Sequence, residues 1–311
     1  MPQTLASLPA ALLASRSAYL KAVMIDEETK AKNQTLEMFN VSSMSDWKET
    51  YQEMTGFGLG QQIIGEIPDS WPLDEVAAWY SKSYTQAWYG NGCIHSKKFI
   101  KYDRDGIKGY EQGRGLIQSM NNMKEYYAAS VFNNLTDATA GGAYVLPDGH
   151  ALADTGHHLK DNLLVGTTVT CSNYVAATLE HDSLDTALTM MITTPDARGL
   201  PAIYTPKTLW CAPALLHDAQ EILGSTMRSD TSENTTNVLD DYGLVIKPLR
   251  WLTSSTNWGI QATKHAVNWK TGQGIEVEVW RDPSNKSIHA DVDQMFTFGV
   301  GDWRGVVVGN V

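Results

Sequence analysis

Apolar positions recur along the chain with two periods, and each period marks a different kind of element. Residues 1 to about 30 place Leu5, Leu8, Leu12, Tyr19, Leu20 and Val23 at helical spacing, which predicts an amphipathic N-terminal segment that must lie on something. Residues 31 to 54 are polar and mixed and predict an extended arm. The run TGFGLGQQIIGEIP (55 to 68) and the later run SYTQAWYGNGCIHSKKF predict two strands of a long hairpin, with Gly90-Asn91-Gly92 allowing a bend or bulge in the returning strand. The hairpin carries Trp71, Trp79, Tyr84, Trp88 and Tyr89, too large and aromatic a set for an idle loop, which predicts that it packs on another chain.

The strongest helical signal follows. Leu116, Ile117, Met120, Met123, Tyr127, Val131 and Leu135 share one face. From Glu111 to Leu135 the helix would span on the order of 37 Å at 1.5 Å per residue. Two shorter helices are expected later. The first is capped by Asp182 or Ser183, with Leu184, Ala187, Leu188 and Met191 inward; the second opens at Pro213 and closes at Gly224, with Leu215, Leu216, Ala219, Ile222 and Leu223 inward. Between them TLWCAP reads as a buried strand. After a polar loop from Ser229 to Asn237, strict alternation at Ile275–Trp280 and at Phe296, Phe298 and Val300 predicts strands joined by the turn RDPSNK. One long helix among many strands defines the α+β class, and no internal repeat is visible.

Composition narrows the class of function. The net charge of −11 argues against a protein whose task is gripping nucleic acid, which needs clustered Lys and Arg. An acidic subunit can still enclose DNA, because a container needs no tight hold on its contents. Ten Trp and thirteen Tyr supply the partly polar aromatic surface that interfaces favour. Cys93, Cys171 and Cys211 are widely spaced, without a CxxC pair, and suit reduced thiols better than a disulfide framework or zinc site. No basic residue precedes the apolar stretch Leu5 to Leu13, so no secretory signal is expected, and no run reaches a membrane-spanning length.

Candidate chemistry is sparse. His150, Asp154, His157 and His158 form an HxxxDxxHH run that could ligate a metal, but the favoured reading is a polar surface loop whose imidazoles are solvated or hydrogen-bonded. GFGLG lacks the register of a dinucleotide or phosphate loop, and no GxSxG elbow exists. Glu276, Glu278, Asp291 and Asp293 alternate along strands and read as a solvated sheet face. Lys97-Lys98, at the base of the hairpin, either pairs with a neighbour's carboxylates or keeps a strand soluble. No residue is assigned a catalytic, cofactor-binding or metal-binding role. The assembly-interface candidates are Trp71, Trp79, Tyr84, Trp88, Lys97 and Lys98.

Four stretches together resemble a known family: SYTQAWYGNG, EYYAASVFNN, RGLPAIYTPKTLWCAPALLHDAQEILGS and FTFGVGDWRGVVVGN. Their order is similar to that in major capsid proteins of tailed bacteriophages, particularly the phage Mu-type branch of the Hong Kong 97-like capsid fold, over about residues 55 to 311. The resemblance implies an N-terminal arm (1–54), an E-loop (55–96), a P-domain (97–145) holding the spine helix (about 111–136), an A-domain (146–265) and C-terminal strands returning to the P-domain (266–311). It further implies a non-enzymatic shell subunit of the virion. Such a subunit self-assembles in the host cytoplasm into hexamers and pentamers of an icosahedral head around double-stranded DNA, without sequence-specific binding or a membrane. A separate scaffolding protein, a portal and decoration proteins are the implied partners, and no cofactor is implied. The alternatives are an encapsulin-like cellular compartment and a metal-dependent enzyme built on His150–His158.

Overall fold

The computed structural model describes residues 21–28, 33–57, 59, 73–76, 78–102, 107–159, 170–227, 236–284 and 287–310. Its backbone is helix α2 (Ile107–Asn133), matching the predicted periodicity: Leu116, Ile117, Met120, Val131 and Phe132 are buried along it. The helix begins four residues earlier than its apolar face alone indicated. Just before it, Lys97–Tyr102 forms a short helix, α1, rather than the continuation of a strand.

Helix α2 covers a four-stranded sheet of order β1-β11-β12-β4, made by Asn40–Ser43, Val267–Arg281, Ile288–Val300 and Ala87–His95. β1 runs parallel to β11, while β12 runs antiparallel to both of its neighbours, β11 and β4. Where the sheet meets the helix, Trp269 stacks on Phe296 at 4.4 Å, and Tyr89 stacks on the same ring's other neighbour position at 4.4 Å. Further out, Met120 and Leu116 of α2 pack on Val277, Ala290 and Val292.

A second sheet has the order β7-β13-β10-β8-β9, from Tyr174–Val175, Val306–Gly309, Trp258–Ala262, Pro206–Cys211 and Val245–Pro248. Helices α3 (His181–Ile192) and α4 (Leu216–Gly224) supply Leu184, Leu188, Met191, Ala219 and Leu223 to its core. Glu180, not Asp182 or Ser183, takes the N-cap position of α3, and its N–H donates to the Ser183 hydroxyl at 2.8 Å. α4 is preceded by a 3-10 turn, Pro213–Leu215, with the proline at its first position, as its fixed φ favours.

Three departures from the sequence expectation matter. The residues read as an extended arm enter the core: Met38 and Phe39 are buried, and Phe39 meets Phe132 and Trp269 edge-on at 5.9 Å each. The final strand β13 does not return with β12 to the first sheet; the turn at Asp302–Gly305 carries the chain into the second, between β7 and β10. The hairpin strands are not those expected either. The outgoing strand is β2 (Lys48–Met54), paired antiparallel with β3 (Ala78–Thr85). Most of the run 55–68 lies outside the described residues.

The N-terminal periodicity is met in part. Residues 21–28 are helical, Met24 is fully buried against α2, and Glu27 pairs with Arg114 at 3.0 Å. The positions Leu5 to Leu20 lie outside the described residues. No described helix is long and apolar enough to cross a membrane.

Candidate assembly surfaces

Among the described residues, the ribbon of β2 and β3 has no third strand. Side chains alternate across it, so Glu49, Glu53, Lys82 and Tyr84 fall on one face and Thr50, Gln52, Ser81 and Ser83 on the other. The first face meets the chain's own body. Tyr84 is 1% exposed, and its hydroxyl accepts a hydrogen bond from Asn268 at 3.1 Å. Lys82 donates to the carbonyls of Gly142 (2.6 Å) and Val145, and burial lowers its pKa. Glu49 pairs with Lys270 at 2.7 Å, and Glu53 pairs with Arg304 at 2.8 Å. Beyond the strands, Asp74 pairs with Arg198 at 2.5 Å. The expected projecting hairpin is therefore seated on its own subunit, because its body-facing side chains are charged and find opposite charges there.

Its apolar side chains find no such cover. Trp47, Tyr51, Met54, Phe57 (65% exposed), Leu59 and Leu73 (92% exposed) all stand in solvent, concentrated toward the far end of the ribbon. A set of this kind marks an interaction surface.

Among the candidate residues, Trp71 lies outside the described residues. Trp79 is half-buried and packs on Tyr80 at 4.5 Å. Tyr84 is an internal anchor of the ribbon and presents no surface to another chain. Trp88 is 67% exposed but sits on β4, on the sheet face opposite α2. Lys98 is exposed on α1; the Lys97 side chain is not among those described. Sequence reasoning missed Met54, Phe57, Leu59 and Leu73, although apolar residues spaced between glycines in GFGLG were the signal. It also missed Arg304, a single cation inside the apolar run GDWRGVVVG.

The sheet face around Trp88 explains Gly90-Asn91-Gly92. These residues pair with Asp293, Val292 and Asp291 in unbroken register, so there is no bulge. A Cβ on Gly92 would come within 2.4 Å of the Asp291 carboxylate, so the glycine gives that side chain room. Glu276 stands directly across from Asp293, and Glu278 across from Asp291, an arrangement that like charges disfavour. Two indoles relieve it: Trp88 donates to Asp293 at 2.9 Å and Trp280 to Asp291 at 2.7 Å. We expect Trp88→Ala to lower particle yield several-fold while shifting the melting temperature little, since an exposed side chain contributes within about 0.5 kcal/mol to the fold. Unchanged yield on density gradients would remove Trp88 from the assembly surface.

The histidine-rich loop resolves into separate pairs. His150 Nδ1 meets Asp154 at 3.0 Å, and His157 Nδ1 meets Asp148 at 3.0 Å. The His157 ring is enclosed and stacks on Trp303 at 4.8 Å. Among the described residues no three metal-ligating side chains converge on one point. Burial alone would raise the pKa of Asp148, but the bond from His157, the His150 N–H and both nearby imidazoles together hold it below the usual carboxylate range. A depressed carboxyl stabilises the fold above its unfolded pKa, and that contribution is lost as pH falls through the folded value. Asp148→Asn should therefore cost about 1–3 kcal/mol near neutral pH. In pH-dependent melting the gap between the two proteins should close below the ordinary carboxylate pKa of 3.8. A gap that widened on acidification would contradict this account.

With the geometry established, the architecture can be set beside known structures. A structure from Microbacterium phage Oxtober96 is similar over 90% of this chain and 91% of that chain, with a TM-score of 0.56 at 11% identity. The cyanophage Pam1 capsid is similar over 88% and 87%, with a TM-score of 0.53 at 12% identity. A virus-like particle from Pyrococcus furiosus is similar over 94% and 98%, with a TM-score of 0.50 at 8% identity. Such low identities bear on the fold alone: it is the Hong Kong 97-like fold of shell-building subunits. The sequence then places the protein within that class. Residues 79–309 match the model of the phage capsid protein family, and the chain belongs to that family. No curated protein matches the sequence. The chain is a major capsid protein, a structural component of the virion shell.

Proposed function

We propose that copies of this chain form the pentamers and hexamers of an icosahedral tailed-phage head enclosing double-stranded DNA. The ribbon acts as the E-loop, lying over an adjacent copy. The sheet under α2 acts as the P-domain and the five-stranded sheet as the A-domain near the capsomer centre. The observation that carries this reading is the uncovered apolar end of the ribbon, Met54, Phe57, Leu59 and Leu73. A two-stranded ribbon is marginal in water, and burying this end against another copy would stabilise both. Rings of five and six need head-to-tail contacts in which different patches of one chain meet, and the ribbon end and Trp88 are two such patches.

The four sequence stretches favour the Mu-type branch. A separate scaffolding protein, a portal and decoration proteins would complete the head, and the chain would carry no catalytic activity. Negative-stain microscopy of the full chain, expressed alone and with its neighbouring genes, tests the reading. Closed particles with five- and six-fold capsomers are expected. Only monomers under every condition would overturn it, and uniform shells loaded with one co-encoded enzyme would favour a cellular compartment instead.

A further inference from the structure

The ribbon is held to its own subunit in an uneven way. Tyr84 and Thr55 are enclosed and Lys82 donates to the carbonyls of Gly142 and Val145, while the remaining hold is ionic: Glu49 to Lys270, Glu53 to Arg304 and Asp74 to Arg198. The three acidic residues belong to the ribbon and its extension, and the three cations to three different parts of the body. Arg304 is the most deeply set, its side chain 4% exposed. One of its nitrogens, Nη1, serves both Glu53 at 2.8 Å and Asp302 at 2.9 Å, and its guanidinium lies 5.3 Å from the Trp303 ring centre.

The backbone beneath it is fixed. Gly305 adopts φ +81°, and a Cβ there would come within 2.1 Å of the Lys264 carbonyl, so the turn presenting Arg304 requires glycine at this position. Burial raises the pKa of Glu53, Arg304 pulls it back, and Asp302 raises it again. Burial disfavours the charge on Arg304, but the two carboxylates beside it outweigh this and raise its pKa. Among the described residues, the guanidinium is thus the cation that offsets part of the cost of burying the Glu53 carboxylate.

We propose that Arg304 is a positioning residue for assembly: flanked by Lys270 and Arg198, it straps the ribbon to its own subunit and sets the ribbon's direction before a neighbour is met. This rests on the reading that the ribbon end contacts an adjacent copy. A ribbon aimed in advance loses less conformational freedom when the contact forms. The geometry suits this role because the strap uses the charged face and leaves Met54, Phe57, Leu59 and Leu73 outward.

The test is peptide-level hydrogen exchange on the full-length unassembled chain, together with particle yield, for wild type, Arg304→Met and Glu53→Gln. Glu53 lies on the ribbon, so its variant keeps the body intact even if Arg304→Met folds poorly. Exchange across 48–54 and 78–85 should rise on the order of a hundredfold in Arg304→Met and about tenfold in Glu53→Gln, while α2 and β8 keep wild-type protection. Raising salt to about 1 M should loosen the wild-type ribbon toward the Glu53→Gln level, since the outer two pairs are screened. Assembly should slow several-fold in both variants. Unchanged ribbon exchange would overturn the strap, and so would a rise spread equally over α2. Looser ribbons that assembled at the normal or a faster rate would overturn the positioning role. Failure of the neighbour-contact reading itself shows separately, as normal assembly by a chain lacking the ribbon end.

Discussion

Deleting residues 55–77 should leave a folded chain that no longer closes into particles. Met54 and Ala78 are Cα partners at the end of the ribbon, so an Asn-Gly turn can join β2 to β3 without altering their register. Among the described residues, the deletion removes Thr55 and the Asp74–Arg198 pair from the subunit's own contacts. Together these should cost no more than roughly 1–2 kcal/mol. It also removes Phe57, Leu59 and Leu73, which contribute nothing to the subunit's own core and much to any contact with another copy. Thermal melting should therefore move by a few degrees, while sedimentation and microscopy show soluble subunits or capsomers in place of shells. Wild-type particle yield from the shortened chain would end the case for the ribbon as an intersubunit element.

Trp210→Ala should produce the opposite pattern, a loss of the fold itself. Trp210 lies on β8 in the second sheet but packs into the core of the first, 5.1 Å from Phe132 on α2, and is fully buried. Its ring joins the two sheets. Removing a buried indole costs about 3–5 kcal/mol, from lost burial and from the void left between elements that cannot close over it. In a chain of this size that corresponds to a fall in melting temperature on the order of 10 °C. Soluble yield should drop with it. Trp251→Ala is the natural control, because Trp251 is 41% exposed and should change stability little. A shift for Trp210→Ala no larger than the control's would mean that the two sheets are not coupled through this residue.

The parts of the fold that were legible in the sequence are those whose burial pattern is set by one element. The face of α2 from Leu116 to Val131, the inward residues of α3 and α4, and the strand at TLWC each present one side to a core. Period alone identified them. The ribbon was misplaced because KETYQEM carries no apolar alternation: its body-facing charges, Glu49 and Glu53, are satisfied by cations far away in sequence. Pairing by charge across 251 residues, as between Glu53 and Arg304, leaves no local signature. The move of β13 into the second sheet was equally hidden. VVVG is as apolar as any buried strand, and nothing in it tells which sheet it joins. The histidine run illustrates the converse: four residues of metal-ligand type sit close in sequence, and the fold assigns His150 and His157 to different carboxylates.

The position of β13 has a consequence for how the subunit is made. It lies between β7 and β10, and β12 likewise lies between β11 and β4, so residues 258–309 supply both inner strands of the first sheet and, with β10 and β13, all but β8 of the inner strands of the second. A nascent chain that has reached Asn257 holds α2, α3 and α4 with β8 and β9, but lacks β10 to β13, which complete the cover over their apolar faces. Neither sheet can close by pairing only what has already left the ribosome. Folding must wait for the late strands and then proceed through contacts distant in sequence, which makes it slow and leaves apolar surface open in the interval. Polypeptides stalled or clipped before residue 258 should be cleared or should aggregate. That keeps incomplete subunits from being built into a growing head.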